Sequence, residues 1–166
     1  MVTHAVRRPS MKGPMRATIA ILPILAAAVL GNVATLPNIP TWYAGLAKPG
    51  FTPPNGVFGP VWTVLYALMA YAVWRVLSLP ATPGRGRALV AFFVQLALNA
   101  AWSWAFFGAH SPLAGLWVIL PLLLMIIETI RRFWPLDRLA AVLLMPYAAW
   151  VGFATALNAA IWRLNP

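Results

Sequence analysis

Three short runs hold most of the side chains that could do chemistry. Trp62 and Tyr66 stand one turn apart in V-F-G-P-V-W-T-V-L-Y. Gln95, Asn99, Trp102 and Ser103 lie at helical spacing from one another, and Tyr147, Trp150, Ala154 and Asn158 fall on one face of a later helix. Aromatic rings interleaved with amides supply stacking surfaces and hydrogen bonds rather than nucleophiles. Such faces have no reason to meet lipid, so they point into a bundle. Two arrangements fit: a packed core tied by helix–helix hydrogen bonds, such as Asn99 to Asn158, or a ligand cavity. The residues alone leave both open.

Other chemistries find little support. The chain has no cysteine, which removes disulfides, thiol catalysis and iron–sulfur clusters. His4 belongs to the N-terminal tail and His110 to a tight turn, so no histidine pair can face across a bundle to hold a metal, and a coordinated haem lacks an obvious axial ligand. Both lysines, Lys12 and Lys48, fall outside the apolar runs, which excludes a buried Schiff base. A Ser–His–Asp triad has no candidates, because Asp137 and His110 are expected on opposite sides of the bundle. No metal and no required cofactor are expected.

The elements that must position these residues are membrane spans. Of 166 residues 62% are hydrophobic and 8% charged, too apolar for a soluble domain. Apolar runs of spanning length predict an all-α membrane protein, a bundle of five helices at Ala17–Leu36, Val57–Leu79, Ala88–Gly108, Leu113–Ile130 and Leu139–Trp162. Residues 1–16 form a basic tail and 17–163 one transmembrane domain. Five spans cannot be halved evenly, which disfavours an inverted-repeat transporter.

Charge sets the expected topology. Arg7, Arg8, Lys12, Arg16, Arg75, Arg85, Arg87, Arg131, Arg132 and Arg138 fall on one side, and only Lys48 and Arg163 on the other. The positive-inside rule puts the N-terminus in the cytoplasm and the C-terminus outside. The formal charge of +10 therefore reports topology, not nucleic-acid binding, because no basic face exists. Arg7-Arg8 faintly resembles a twin-arginine export signal, but a basic flank of an uncleaved helix explains it more simply. An alanine- and arginine-rich, lysine-poor chain fits a bacterial cytoplasmic membrane. Glu128, followed by Arg131 and Arg132, reads as a surface ion pair rather than a proton relay.

The loop from Trp42 to Val57 is proline-dense: Pro49, Pro53 and Pro54 fix φ and remove backbone donors, disfavouring helix and sheet. It reads as a cap over a site inside the bundle. Trp74, Trp104, Trp134 and Trp162 near helix ends read as interface anchors, whereas Trp117 lies further inside its span. Small residues recur every fourth position at Ala97, Ala101, Ala105 and Ala109, and at Ala148, Gly152, Ala156 and Ala160. Such rows permit close helix packing, one within the bundle and the other in a homodimer.

W-Y-x-x-L-x-K-P from Trp42, P-P at Pro53, V-F-G-P-V-W-T-x-L-Y from Val57, Q-L-A-L-N-A-A-W-S from Gln95, F-F-G at Phe106 and P-Y-A-A-W-V-G-F-A-T-A-L-N-A-A-I-W-R-L-N from Pro146 occur in order over roughly residues 18–165. This set resembles the TspO/MBR family, the translocator proteins or tryptophan-rich sensory proteins. The resemblance implies a five-helix membrane bundle, often dimeric, with receptor or transport roles, that binds tetrapyrroles such as protoporphyrin IX under the first loop. It also implies, for some bacterial members, light- and oxygen-dependent porphyrin breakdown by pocket tryptophans, here Trp62 and Trp150. The implied lining adds Phe51, Tyr66, Asn99, Trp102, Tyr147 and Ala154, with Lys48 or the Asn and Trp donors meeting the propionates. The expected partners are thus a porphyrin or another hydrophobic small molecule, membrane lipid and a second copy of the chain. Two departures stand out: Gly50 and Gly56 occupy positions where many relatives carry tryptophan. A Tyr followed closely by Lys or Arg, the sterol pattern, is absent after Tyr147, since the next basic residue is Arg163.

Overall fold

The computed structural model describes residues 13–166. Among them are six α-helices and no strand: α1 Gly13–Thr35, α2 Asn55–Ser78, α3 Arg85–Ser103, α4 Pro112–Phe133, α5 Arg138–Leu143 and α6 Met145–Leu164. Five segments are long and apolar enough to cross a membrane, the fifth being α5 and α6 together. Their ends fall close to the expected boundaries. The largest difference is at the start, where α1 begins at Gly13 and takes in Arg16, expected in the tail. Arg7, Arg8 and Lys12, with the twin-arginine reading, lie outside the described residues.

Each irregularity has a local cause. Pro146 has no N–H to donate to the carbonyl one turn back. The fifth span accordingly breaks at Leu144, whose N–H bonds Ala141 O at 3.1 Å, and resumes when Ala148 N reaches Leu144 O at 3.0 Å. The last turn of the third span widens into a π-turn over Trp104–Gly108, with bonds from Ala109 N to Trp104 O and Ser111 N to Phe106 O. That turn buries both Phe106 and Phe107. His110 then reverses the chain at φ 52°, and Ser111 caps α4 by accepting from Ala114 N at 3.1 Å.

In lipid the hydrophobic effect does not drive helix association, so packing and interhelical hydrogen bonds must. α3 packs along α4, α4 along α6, and α1 bridges α2 and α3. The half of the bundle toward the basic connections is solid: Met69, Val73 and Val76 of α2 meet Phe92, Ile126, Phe133, Leu144 and Tyr147 in one buried cluster. Two glycines allow close approach. A Cβ on Gly31 of α1 would sit 3.2 Å from Ser103 Oγ, and one on Gly115 of α4 would sit 2.7 Å from Asn158 Oδ1 and 2.9 Å from Phe106 Cδ2. Of the two small-residue rows, Ala97, Ala101 and Ala109 are exposed, whereas Ala148, Gly152 and Ala160 are half-buried.

Ion pairs close the basic end. Glu128 accepts from Arg131 Nε at 2.7 Å and from Arg132 Nε at 2.6 Å, the surface pairing expected for it. Arg75 of α2 donates to Asp137 Oδ2 at 2.9 Å, and Asp137 also caps α5 by accepting from Ala140 N at 3.0 Å. Burial pushes the Asp137 carboxyl upward, but the Ala140 N–H and the Arg75 guanidinium outweigh it and hold the group below its usual value. A depressed carboxyl contributes stability that is complete above its unfolded pKa of about 4 and is lost as pH falls through the lower folded value. Thermal melts should therefore show stability falling below about pH 4, and Asp137→Asn should flatten that slope. An unchanged slope would mean that the pair is not formed in solution.

Candidate functional site

The half of the bundle beneath the aromatic loop is hollow. A cavity of about 810 Å³ is walled by α1, the first half of α2, the end of α3 and α6. Pockets of about 300–1,000 Å³ suit small organic ligands and cofactors. Apolar side chains dominate the walls, and among the described residues no Lys, Arg or His lines them. The loop supplies the roof through Leu36, Ile39 and Tyr43. Short 3₁₀ turns at Leu36–Asn38 and Tyr43–Gly45 organise it, and the proline-dense stretch before α2 contains no helix or strand.

Aromatic packing and one amide clip hold that roof. Trp42 meets the Phe106 ring edge-on at 5.4 Å and stacks on His110 at 5.0 Å, while Tyr43 lies 5.6 Å from Phe107. Burial pushes the Tyr43 phenol up, so it stays neutral under the roof. Asn165, just past α6, accepts from Ala47 N at 3.0 Å and donates to Ala47 O at 3.0 Å. This reciprocal pair is the long-range hydrogen bonding that ties the loop to α6. Asn165→Ala should leave the fold intact but accelerate ligand release several-fold, since it removes two bonds each worth about 1 kcal/mol. Stopped-flow dissociation would measure this, and an unchanged off-rate would show that the loop does not gate the cavity.

Six of the eight expected site residues line this one cavity: Trp62, Tyr66, Asn99, Trp102, Trp150 and Ala154. Two do not. Tyr147 is fully buried behind the wall, where its hydroxyl accepts from Asn99 Nδ2 at 3.2 Å. Phe51 is 52% exposed and meets Phe153 edge-on at 6.2 Å outside the cavity. Lys48 is also turned away: its ammonium donates to Leu46 O at 3.0 Å and sits 4.6 Å from the Tyr43 ring centre. Gly56 lines the cavity, with open space where a side chain would point.

The expected Asn99–Asn158 bond is replaced by two separate networks. Tyr66 donates to Asn99 Oδ1 at 2.9 Å, and Asn99 donates to Tyr147, joining α2, α3 and α6. Trp102 Nε1 donates to Asn158 Oδ1 at 3.1 Å, and Asn158 Nδ2 donates to Pro112 O at 2.7 Å, joining α3, α6 and α4. Each amide is thus bonded at both its oxygen and its nitrogen and fixes a ring at the wall. Trp62 leans on Tyr66 at 5.4 Å and on Tyr147 at 6.1 Å, and Trp150 packs edge-on against Phe58 at 5.7 Å. Trp117, 74% exposed, belongs to the outer surface.

Several wall residues had no individual signal in the sequence. Phe58 stood out only as part of the V-F-G-P run, and Ile24 and Gly31 on the α1 side read only as span residues. Asn158 was visible as a member of the Tyr147 face, but its bond to Trp102 required the helix pairing.

Five membrane-length spans around a tryptophan-lined cavity roofed by one long loop define a class of multi-pass helical membrane protein. The TspO/MBR family model matches residues 19–163, and the chain belongs to that family. The tryptophan-rich protein TspO of Archaeoglobus fulgidus is 44% identical over 149 residues, covering 88% of this chain and 94% of that one. Protein CrtK of Rhodobacter capsulatus is 36% identical, with 92% and 96% covered. The human translocator protein is 43% identical over 130 residues, with 75% of each chain covered.

Proposed function

We propose that this TspO/MBR membrane protein binds a tetrapyrrole such as protoporphyrin IX in the cavity beneath its loop, in sensing or transport. The observation that carries the reading is the single cavity in which Trp62, Tyr66, Trp102 and Trp150 converge. A porphyrin is a large flat π-system, and fixed aromatic walls offer it stacking at low entropic cost. Its propionates would meet neutral donors, with Asn55 and Asn32 the exposed amides on the lining, rather than a cation. No cofactor is needed for binding. The N-terminus is assigned to the cytoplasm, and the exposed Ala97–Ala101 edge of α3 to a homodimer contact.

A second reading keeps the same site and adds light- and oxygen-dependent porphyrin oxidation. Its support is that two indoles, Trp62 and Trp150, line the cavity, and indole is an oxidisable ring. An absorption time course with protoporphyrin IX, first dark and then illuminated in air, separates the two. A saturable dark Soret shift with no later change supports binding alone. A product band that needs light, oxygen and Trp62 supports the oxidative reading. Absence of dark saturation sinks both.

A further inference from the structure

A second concavity, of about 510 Å³, lies at the opposite end of the bundle from the loop, between the α2–α3 connection and the end of α4. Its lining divides by chemistry. Arg87, Arg131 and Arg132 supply cations and Thr82 a hydroxyl, while Leu79, Pro80, Pro83, Pro135 and Leu136 form apolar and rigid walls. Glu128 neutralises only one charge here, because both neighbouring arginines share its carboxylate. Arg87 is exposed, and its side chain has no ion pair or hydrogen bond among the described residues. Three further arginines at this end are committed: Arg75 to Asp137, Arg85 to the carbonyls of Val76 and Leu77, and Arg138 over the Trp134 ring.

Depth identifies the occupant. The pocket sits where α2 and α4 end, beside the exposed indole of Trp134 and on the same end as the exposed Trp74, the level at which tryptophans mark the membrane boundary. We propose that this pocket binds the phosphate of an anionic phospholipid, with Arg87 and Arg131 contacting the headgroup and Leu79, Pro135 and Leu136 packing against its glycerol and first acyl carbons. Guanidinium matches phosphate geometry, and basic pockets between spans at this level take lipid headgroups. A free phosphate would use the arginines but leave the apolar wall uncovered, so the lipid fits the whole lining.

Native mass spectrometry of the full chain in detergent tests this, with phosphatidylglycerol and phosphatidylcholine offered at equal concentration. One phosphatidylglycerol should be retained per chain in preference to phosphatidylcholine. Arg87→Gln should weaken that retention about fivefold, the effect of one basic residue at a membrane surface. Arg87→Lys should keep most of it, and Arg163→Gln, at the other end, should change nothing. Equal retention of both lipids, or the same loss in Arg163→Gln, overturns the site. Displacement of phosphatidylglycerol by millimolar inorganic phosphate, with phosphate itself retained, overturns the lipid assignment in favour of a free anion.

Discussion

Replacing Trp62 with alanine is expected to weaken protoporphyrin IX binding roughly ten- to a hundredfold while leaving the bundle folded. The indole forms part of the cavity wall, held against Tyr66 at 5.4 Å and Tyr147 at 6.1 Å. Stacking of one flat heterocycle on one aromatic side chain is worth about 1–3 kcal/mol, and each 1.4 kcal/mol is about tenfold in affinity. The Tyr66–Asn99–Tyr147 hydrogen bonds do not pass through the indole, so the frame should survive the loss. Trp62→Phe keeps a stacking face and should bind within a few-fold of the wild type. Under the oxidative reading that same variant should lose light-driven conversion. Soret titrations paired with melting curves read both results. Wild-type affinity in Trp62→Ala would reduce Trp62 to a packing residue.

Gly115→Ala is expected to destabilise the bundle by about 2 kcal/mol, although alanine is the better helix former by about 1 kcal/mol. The added methyl would stand 2.7 Å from Asn158 Oδ1 and 2.9 Å from Phe106 Cδ2. Neither atom can give way cheaply. Asn158 is held at both ends of its amide, by Trp102 Nε1 and by Pro112 O, and Phe106 is wedged between Trp42, Trp102 and Phe107. Relief means moving α4 from α6 or breaking the Trp102–Asn158 bond, and either displaces a cavity wall. The melting temperature should drop by about 5 °C, on the usual scale of a few degrees per kcal/mol for a chain of this size, and porphyrin affinity should fall with it. A melting temperature equal to or above the wild type would mean that α4 and α6 lie further apart than described.

These two sites also mark how far the sequence could be read. The spans were legible because a stretch of lipid-compatible residues admits few structures but a helix, although the fifth was expected as one unbroken helix from Leu139 to Trp162 and instead divides before Pro146. The inward faces were legible because Asn99, Trp102 and Asn158 have no place in lipid. Which amide meets which ring was not: interhelical pairing depends on rotation and depth of each helix, and a shift of one turn would exchange Asn158 for another partner. Phe51 and Lys48 illustrate the same limit in the loop. Their types suit a ligand, but Phe51 packs outward on Phe153 and Lys48 folds back onto the carbonyls of Ala44 and Leu46. The role of Asn165 was hidden for a different reason, because its partner Ala47 offers only backbone atoms. The π-turn that brings Phe106 and Phe107 together likewise has no compositional signature.

The absence of native cysteine makes one measurement especially direct. Ala154→Cys places a single thiol on the cavity wall, and Ala81→Cys places one on the exposed α2–α3 connection. A bulky maleimide should react with both in the apo protein. Saturating protoporphyrin IX in the dark should protect the thiol at 154 and leave the one at 81 reactive, and prior labelling at 154 alone should abolish the Soret shift. Equal labelling at 154 with and without porphyrin, together with an undiminished Soret shift in the labelled protein, would contradict a tetrapyrrole site within this cavity.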